Sequence, residues 1–303
     1  MNEKRKNEIK RWWDNPRNIR WDNFYETDDE NSFCAERRLK KTLNVLDSLG
    51  KKNLNILELG CGAGQSSESI LSIGHNYKGI DISNQLIDRA KNRCKEYIEI
   101  DQANFYVQSV DDVLPIEESS QDVVLIIGML QYVDDIDFCF NEIKRVLKPN
   151  GHIIICQTNM YHITEFFQLR SLLVKLIYLF TSQEYEISNS IKALLLETKL
   201  KDYFKLNTNS RILKYNFIKK GYIERNFDFQ KRLVSLSRLT KILKNYNFIP
   251  IKKTGAPFFY SDTYALKYIA KFLESMLNIF LLIPILSLVK YIANNVIIMG
   301  KIK

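Results

Sequence analysis

Three glycines at alternate positions, Gly60, Gly62 and Gly64, follow a short apolar segment that carries one acid, Glu58. Glycine lets the backbone turn sharply and leaves room for a ligand, because it has no Cβ. The residues after Gly64 are predicted to begin a helix, whose first N–H groups lack helical partners and point toward the loop. The sequence therefore predicts a cofactor pocket at this loop.

The glycine spacing separates two kinds of cofactor. Dinucleotide-binding proteins use G-x-G-x-x-G and place a pyrophosphate at the helix N-terminus. Here the spacing is G-x-G-x-G, and Glu58 stands two residues before the first glycine. A carboxylate there would repel a pyrophosphate and attract a ligand with cationic amino and sulfonium groups. The alternative is a plain glycine-rich turn, which three glycines and an acid in register after a strand disfavour.

Alternating strand and helix patterns surround the loop. Residues 123–127 form a continuous apolar run, which is typical of a strand buried on both faces. Such alternation predicts an α/β fold with a mostly parallel sheet and helices on both faces. The predicted strands are 54–59, 77–81, 103–108, 123–127, 152–156, 248–251 and 295–300.

The 303 residues are predicted to form one domain with four parts. Residues 1–50 are an N-terminal helical cap, and residues 51–158 are the cofactor-binding core. The alternation breaks over 159–232, which predicts a helical lid or substrate insertion. Residues 233–303 complete the core and include an apolar helical hairpin over 262–294.

The most apolar part of that hairpin, 276–289, is too short to span a bilayer, which takes about 20 residues. It either closes the core or lies in a membrane interface. The N-terminus has no apolar segment typical of a signal peptide, and the five cysteines lack metal-ligand spacing. These observations predict a cytoplasmic protein without a metal, and leave open a peripheral contact with the inner membrane surface through 268–290.

The pattern over residues 58–64 resembles motif I of the class I S-adenosylmethionine (SAM) methyltransferases. The likeness to type 11 methyltransferase domains covers residues 54–156. It includes R-V-L-K-P-N-G at 145–151, close to the family's R-V-L-K-P-G-G turn. The resemblance implies SAM as cofactor, a Rossmann-like seven-stranded sheet, and an N-terminal helix packed over the cofactor site.

The resemblance also implies roles for individual residues. Asp81 would accept both ribose hydroxyls, since a carboxylate offers two acceptor oxygens; the alternative is a helix N-cap acid. Val110 stands where the family usually has an acid, so the contact to the adenine amino group shifts to Asp111 or to the backbone. The predicted cofactor-binding residues are Glu58, Gly60, Cys61, Gly62, Gly64, Asp81, Ile82, Leu86, Val110, Asp111, Gly128 and Gln131.

No nucleophile–base set stands out, so the sequence does not assign the catalytic residues. Gln131 and Tyr132 follow the buried strand 123–127 and are predicted to face the methyl-transfer region. Tyr161 and His162 follow the next strand and could reach the same edge of the sheet. The candidates for a catalytic base are therefore His162, Tyr161 and Tyr132.

The chain has 44 Lys and Arg against 35 Asp and Glu, a net charge of +9. Such an excess fits nucleic acid, anionic lipid or acidic substrates, and equally an ordinary solvated surface. D/N-P-P-Y after the fourth strand and the cysteine nucleophile of cytosine-C5 enzymes are both missing, which disfavours a nucleic-acid substrate. The predicted function is methyl transfer to an O or C atom of a small or lipid-like metabolite. An RNA methyltransferase and a SAM-binding protein without turnover are the alternatives.

Overall fold

The computed structural model describes residues 3–15, 30–159, 215–217, 225–227, 235–256, 293 and 295–303. The helices are α1 Glu3–Trp13, α2 Glu30–Asp47, α3 Gln65–Ser72, α4 Asn84–Arg93, α5 Lys95–Glu99, α6 Ile136–Val146 and α7 Leu236–Asn245. The strands are β1 Asn55–Leu59, β2 Asn76–Asp81, β3 Ala103–Val107, β4 Gln121–Ile127, β5 Leu147–Thr158, β6 Tyr215–Phe217, β7 Arg225–Phe227, β8 Phe248–Gly255 and β9 Asn295–Ile302.

Seven strands form one sheet in the order β3-β2-β1-β4-β5-β9-β8. The first five are parallel, and β9 runs antiparallel between β5 and β8. The predicted seven-stranded, mostly parallel sheet is therefore confirmed. Chain order reverses between β1 and β4, with β2 and β3 on one side and β5 on the other. Open α/β sheets bind their ligands at the carboxyl ends of the strands at such a switch point.

Branched apolar side chains bury both faces of the central strands. Leu57, Val124 and Ile153 pack toward α6 and α7, whereas Ile56 and Ile154 pack on the opposite face, and all five are fully buried. Continuous burial on both faces explains why β4 and β5 carry unbroken apolar runs. The resulting rigid sheet holds the loops at its carboxyl edge.

Polar side chains fix the start of α4 and the passage from α6 into β5. The Ser83 hydroxyl accepts a hydrogen bond from the Leu86 N–H (3.2 Å) and so caps α4, as the sequence predicts. Arg145 donates to the carbonyls of Leu114 (3.1 Å) and Ile116 (2.8 Å), which ties the end of α6 to the loop before β4. The R-V-L-K-P-N-G segment thus has a structural role.

Some boundaries differ from the predictions. β5 begins at Leu147 rather than at residue 152, because Leu147 already pairs with Gln121 of β4 ahead of an irregularity in the register. Within 159–232, β6 and β7 form a short antiparallel pair that the helical prediction lacked. The hairpin at 262–294, its run 276–289 and the helices predicted in the lid lie outside the described residues. No helix in the described ranges is long and apolar enough to cross a membrane.

Candidate functional site

A pocket lies at the carboxyl edge of the sheet, next to the switch point between β1 and β4. The glycine loop after β1 and the loops after β2, β3 and β4 contribute to its wall, and α1 and α2 complete it. The predicted cofactor residues found in this wall are Glu58, Gly60, Cys61, Gly62, Asp81, Ile82, Leu86, Val110, Asp111, Gly128 and Gln131.

Gly64 is the exception, because it does not contribute to the pocket wall. It precedes α3 with φ +82°, and a Cβ there would lie 2.7 Å from Ser67 Oγ and 3.2 Å from Ala90 Cα. Its lack of a side chain allows α3 to approach α4 closely. The third glycine of the motif therefore serves helix packing rather than ligand contact.

Glu58 lies on the floor of the pocket and is only 2% exposed. Its Oε2 accepts hydrogen bonds from the Ser66 hydroxyl (2.5 Å) and the Tyr77 hydroxyl (2.7 Å). Burial raises the pKa of Glu58 to about 7, although both hydroxyls and the charge of Arg38 oppose the rise. A ligand cation would favour the ionised form, so this carboxylate is suited to an ammonium group.

Asp81 connects the glycine loop to the start of α4. Its Oδ2 accepts a hydrogen bond from the Gly62 N–H (3.0 Å), and its Oδ1 accepts one from the Ser83 N–H (3.0 Å). Desolvation in the pocket raises the pKa of Asp81 to about 6. Since Ser83 occupies the N-cap position of α4, Asp81 is not itself the cap. Each of its oxygens keeps acceptor capacity for a ligand hydroxyl.

Asp111 has a different environment from the one the resemblance implies. Its Oδ1 accepts hydrogen bonds from the N–H groups of Asp135 (2.8 Å) and Asp134 (3.1 Å), so the carboxylate holds the segment that leads into α6. Burial raises the pKa of Asp111. Of the two alternatives for an adenine contact, the geometry favours the backbone near Val110 over the Asp111 side chain.

Helix α1 covers one side of the pocket, with Trp13 in the wall. Lys6 forms an ion pair with Asp112 in the loop after β3. At the other end of the helix, Asp14 accepts a hydrogen bond from the Ser83 hydroxyl (2.6 Å). These two contacts attach α1 to the loops after β3 and β2.

Arg38, on α2, contributes to the pocket wall although it is not among the residues predicted from the sequence. Its Nη1 lies 3.3 Å from the position that a Cβ on Gly128 would occupy, and its charge lowers the pKa of Glu58. The pocket thus contains a cation and a carboxylate that interact electrostatically. An arginine within a charged helical stretch resembles an ordinary surface residue, so only the tertiary packing of α2 reveals it.

The described part of the structure places only one of the three candidates for a catalytic base in the pocket wall. Tyr132 contributes to the pocket wall, whereas Tyr161 and His162 lie outside the described residues. Within the described part of the pocket wall there is no histidine. His75 accepts a hydrogen bond from the Leu54 N–H (3.2 Å), and His152 lies on β5, where burial lowers its pKa. In the described ranges no group of three or more His, Cys, Asp or Glu could hold a metal ion.

The raised pKa values of Glu58 and Asp81 predict opposite effects of pH on stability and on binding. Each folded-state pKa lies above its unfolded value, so the stability these groups contribute is present below about pH 4 and is lost as pH rises through 6 to 7. A cationic ligand needs the ionised Glu58, so its affinity should be about tenfold lower at pH 6 than at pH 8. Calorimetric titration with SAM and thermal melts of the unliganded protein at both pH values would measure the two effects.

Glu58→Gln removes the titrating group and is the control for this prediction. Its SAM affinity should be low at both pH values and should change by no more than about twofold between them, because Asp81, with a pKa of about 6, still titrates. A SAM affinity of the unsubstituted protein that is equal at pH 6 and pH 8 would contradict the assignment of Glu58 to a cationic group.

Comparisons with known proteins agree with this geometry. Residues 57–155 match the family model described as a methyltransferase domain. A demethylmenaquinone methyltransferase of Tropheryma whipplei (strain Twist) is 31% identical over 102 residues, which are 34% of this chain and 41% of the relative. A ubiquinone biosynthesis O-methyltransferase of Pelagibacter ubique is 34% identical over 109 residues, which are 36% of this chain and 43% of the relative. The chain thus spans about two fifths of the length of these curated relatives.

Two solved structures share the fold at low sequence identity. Magnesium protoporphyrin IX methyltransferase from Synechocystis PCC 6803, with bound S-adenosylhomocysteine (SAH), has a TM-score of 0.54 and 13% identity, covering 99% of this chain and 100% of that one. A SAM-dependent methyltransferase from Methanosarcina mazei has a TM-score of 0.52 and 15% identity, covering 85% of this chain and 96% of that one. At these identities the likeness concerns the fold alone.

Proposed function

We propose that this chain, whose core is a class I SAM-dependent methyltransferase domain, transfers a methyl group from SAM to an oxygen or carbon atom of a lipid-like quinone precursor. The observation that carries the proposal is the pair of carboxylates, Glu58 and Asp81, on either side of the glycine loop in one pocket. Glu58 suits a cation and Asp81 suits a pair of hydroxyls, and SAM offers both groups. Glu58 distinguishes the pocket from a pyrophosphate site, because a carboxylate beside the glycine loop would repel the phosphates.

The residues of the pocket match the separate parts of SAM. Asp81 would accept the two ribose hydroxyls, and Ile82 and Leu86 would contact the adenine. The amino-acid end of SAM carries an ammonium and a carboxylate, which match Glu58 and Arg38. Because both of these side chains belong to the same pocket, one zwitterionic group could pair with both. Burial strengthens such charge pairs relative to water.

Bound SAM would supply a methyl group on a positively charged sulfur, which would be left as a neutral thioether. The acceptor atom would form its bond to the methyl carbon as the carbon–sulfur bond breaks, and the O–H or C–H proton that it loses would pass to a base. The chain's main contribution is to align the two reactants and exclude water, because in-line transfer depends on orientation. Tyr132, Tyr161 and His162 stay the candidates for receiving the proton.

Two observations support a lipid-like quinone precursor as acceptor. The two relatives described above are named demethylmenaquinone methyltransferase and ubiquinone biosynthesis O-methyltransferase. The pocket also has an apolar side, to which Ile9, Leu39 and Met129 contribute. Apolar lining with a few placed polar groups is typical of sites for small hydrophobic molecules. The net charge of +9 keeps RNA as the second candidate acceptor.

Incubation of the purified chain with methyl-labelled SAM and three separate acceptor fractions tests the proposal. The fractions are a lipid extract from cells that lack quinone methylation, a set of soluble phenols, and total RNA. We expect label in the lipid fraction and the release of one SAH per methyl group transferred. Label confined to RNA would instead favour an RNA methyltransferase. SAM binding without SAH release from any fraction would favour a binding protein without turnover.

A further inference from the structure

The pocket has two chemically different sides. One side, at the ends of β1 and β2, presents the carboxylates of Glu58 and Asp81. The other side is mostly apolar and combines α1, α2 and the turn after β4, where the chain forms a short 3-10 helix at Leu130–Tyr132. A ligand that fills the whole pocket must therefore be polar at one end and hydrophobic at the other, or two ligands must share it.

Two aromatic rings meet on the apolar side. The ring centroids of Trp13 and Tyr132 lie 5.7 Å apart with an interplanar angle of 87°, an edge-to-face arrangement. Trp12 packs on Trp13 in the same way at 4.5 Å. The contacts of Lys6 and Asp14 at the two ends of α1 hold Trp13 in place. Both Trp13 and Tyr132 are half-buried and contribute to the pocket wall.

We propose that Trp13 and Tyr132 form the binding corner for a flat aromatic ring in the methyl acceptor, which makes Trp13 a specificity-determining residue. This inference rests on the proposed function. A planar ring gains most from aromatic neighbours that can meet it by face and by edge, and two perpendicular rings offer both. A saturated ring or an acyl chain gains only the burial of its surface.

Tyr132 and the residues predicted to contact adenine follow different strands of the sheet. The residues predicted to contact adenine, Ile82 and Leu86, follow β2, and Tyr132 follows β4. In the sheet, β1 lies between β2 and β4. A cofactor held by Asp81 and Glu58 would span the ends of β2 and β1, with its sulfonium between the ribose and the amino-acid end. A ring beside Tyr132, at the end of the neighbouring strand β4, would lie close to that sulfonium.

Gln131 adds a polar group at the same corner. Its Nε2 donates a hydrogen bond to the Gly128 carbonyl (3.0 Å), which fixes the side-chain amide at the end of β4. The amide oxygen can accept a hydrogen bond from a ring hydroxyl. The corner thus combines two aromatic surfaces with one acceptor atom, a combination that fits a phenol or quinol better than an aliphatic alcohol.

Steady-state kinetics with naphthalene-1,4-diol and cyclohexane-1,4-diol as acceptors test the inference, with SAH binding measured by calorimetry. The Trp13→Leu variant should have a three- to tenfold higher KM for the aromatic diol, and its Kd for SAH should stay within twofold of the unsubstituted protein. Trp13→Phe should recover most of the loss, and Trp12→Phe, which changes the neighbouring ring, serves as the matched control. The saturated diol should be a poor acceptor for every form.

The KM and SAH-binding results distinguish a failure of the acceptor corner from a failure of the proposed function. If Trp13→Leu weakens SAH binding and leaves the KM for the aromatic diol unchanged, Trp13 covers the cofactor and the inference is wrong. If the unsubstituted protein binds SAH but neither binds nor methylates the aromatic diol, the acceptor corner is wrong, and the proposed function is decided separately by the release of SAH with the other acceptor fractions. If the protein does not bind SAH at all, the proposed function fails. Thermal melts of each variant confirm that it folds.

Discussion

Replacement of Asp81 by Asn is expected to weaken SAM binding by about 100-fold. A carboxylate that accepts two ribose hydroxyls contributes on the order of 1.5–3 kcal/mol per hydrogen bond, because one partner is charged. An amide keeps only one acceptor oxygen, so at least one of these bonds is lost. Calorimetric titration with SAM measures the change directly.

Two opposing effects of the same substitution act on the stability of the unliganded protein. The two oxygens of Asp81 accept the N–H groups of Gly62 and Ser83. In the amide, one of these N–H groups faces an NH2 group, and an unsatisfied donor costs about 1–3 kcal/mol. The amide also removes the buried charge whose desolvation raises the pKa of Asp81 to about 6, and this stabilises the variant at neutral pH. We therefore expect a small change in melting temperature, so a large loss of affinity indicates direct contact with the ligand.

Asp88→Asn is the matched control for this substitution, since it makes the same chemical change on the exposed face of α4. We expect it to leave both SAM affinity and melting temperature close to those of the unsubstituted protein. If Asp81→Asn bound SAM within threefold of the unsubstituted protein, Asp81 would not be the residue that holds the ribose.

Local patterns explain which parts of the fold and site the sequence could predict. The spacing of Gly60, Gly62 and Gly64 and the acid at Glu58 lie within seven consecutive residues, so one loop carries most of the cofactor signal. The predicted strands agree with the observed ones at the core because burial on both faces produces unbroken apolar runs. The N-cap of α4 at Ser83 is likewise a local feature, since its hydroxyl bonds three residues ahead.

Features that depend on contacts between distant segments were not predictable in the same way. Arg38 belongs to α2, whose sequence does not specify what it covers. The resemblance implies an N-terminal helix over the cofactor site, but the sequence does not indicate that Trp13 enters the pocket wall. The carboxylate of Asp111 is engaged by the backbone of Asp134 and Asp135, a partnership that no sequence spacing reveals. The position of β9 between β5 and β8 is also nonlocal, because strand patterns indicate where strands occur and not the order in which they pair.

The glycine loop itself shows how local and distant constraints combine, and Gly60→Ala tests that combination. Gly60 has φ +76°, and its N–H donates to the Ile80 carbonyl at 2.7 Å, which ties the loop to β2. A Cβ there would lie 2.5 Å from Met129 Cβ and 2.4 Å from Met129 Cγ. Neither atom is the flexible end of the side chain, so the loop or the end of β4 must move.

We expect Gly60→Ala to lower SAM affinity by at least 100-fold and to destabilise the protein by about 2–5 kcal/mol, the sum of backbone strain and overpacking. Calorimetric titration with SAM and chemical denaturation measure the two effects. Gly50→Ala is the matched control for strain, because Gly50 has φ +62° and open space around its Cβ position. It should cost only about 1–2 kcal/mol and leave SAM affinity unchanged.

The double variant Gly60→Ala with Met129→Gly removes both clashing atoms and keeps the backbone strain. It should therefore recover part of the stability lost by Gly60→Ala, in a double-mutant cycle with a favourable coupling of more than 0.5 kcal/mol. Full additivity of the two substitutions would mean that Met129 is not what requires glycine at this position. Recovery of stability without recovery of SAM affinity would show that the ligand itself needs the space beside Gly60. In that case the first glycine of the motif meets two requirements, close packing against the end of β4 and close approach of the cofactor.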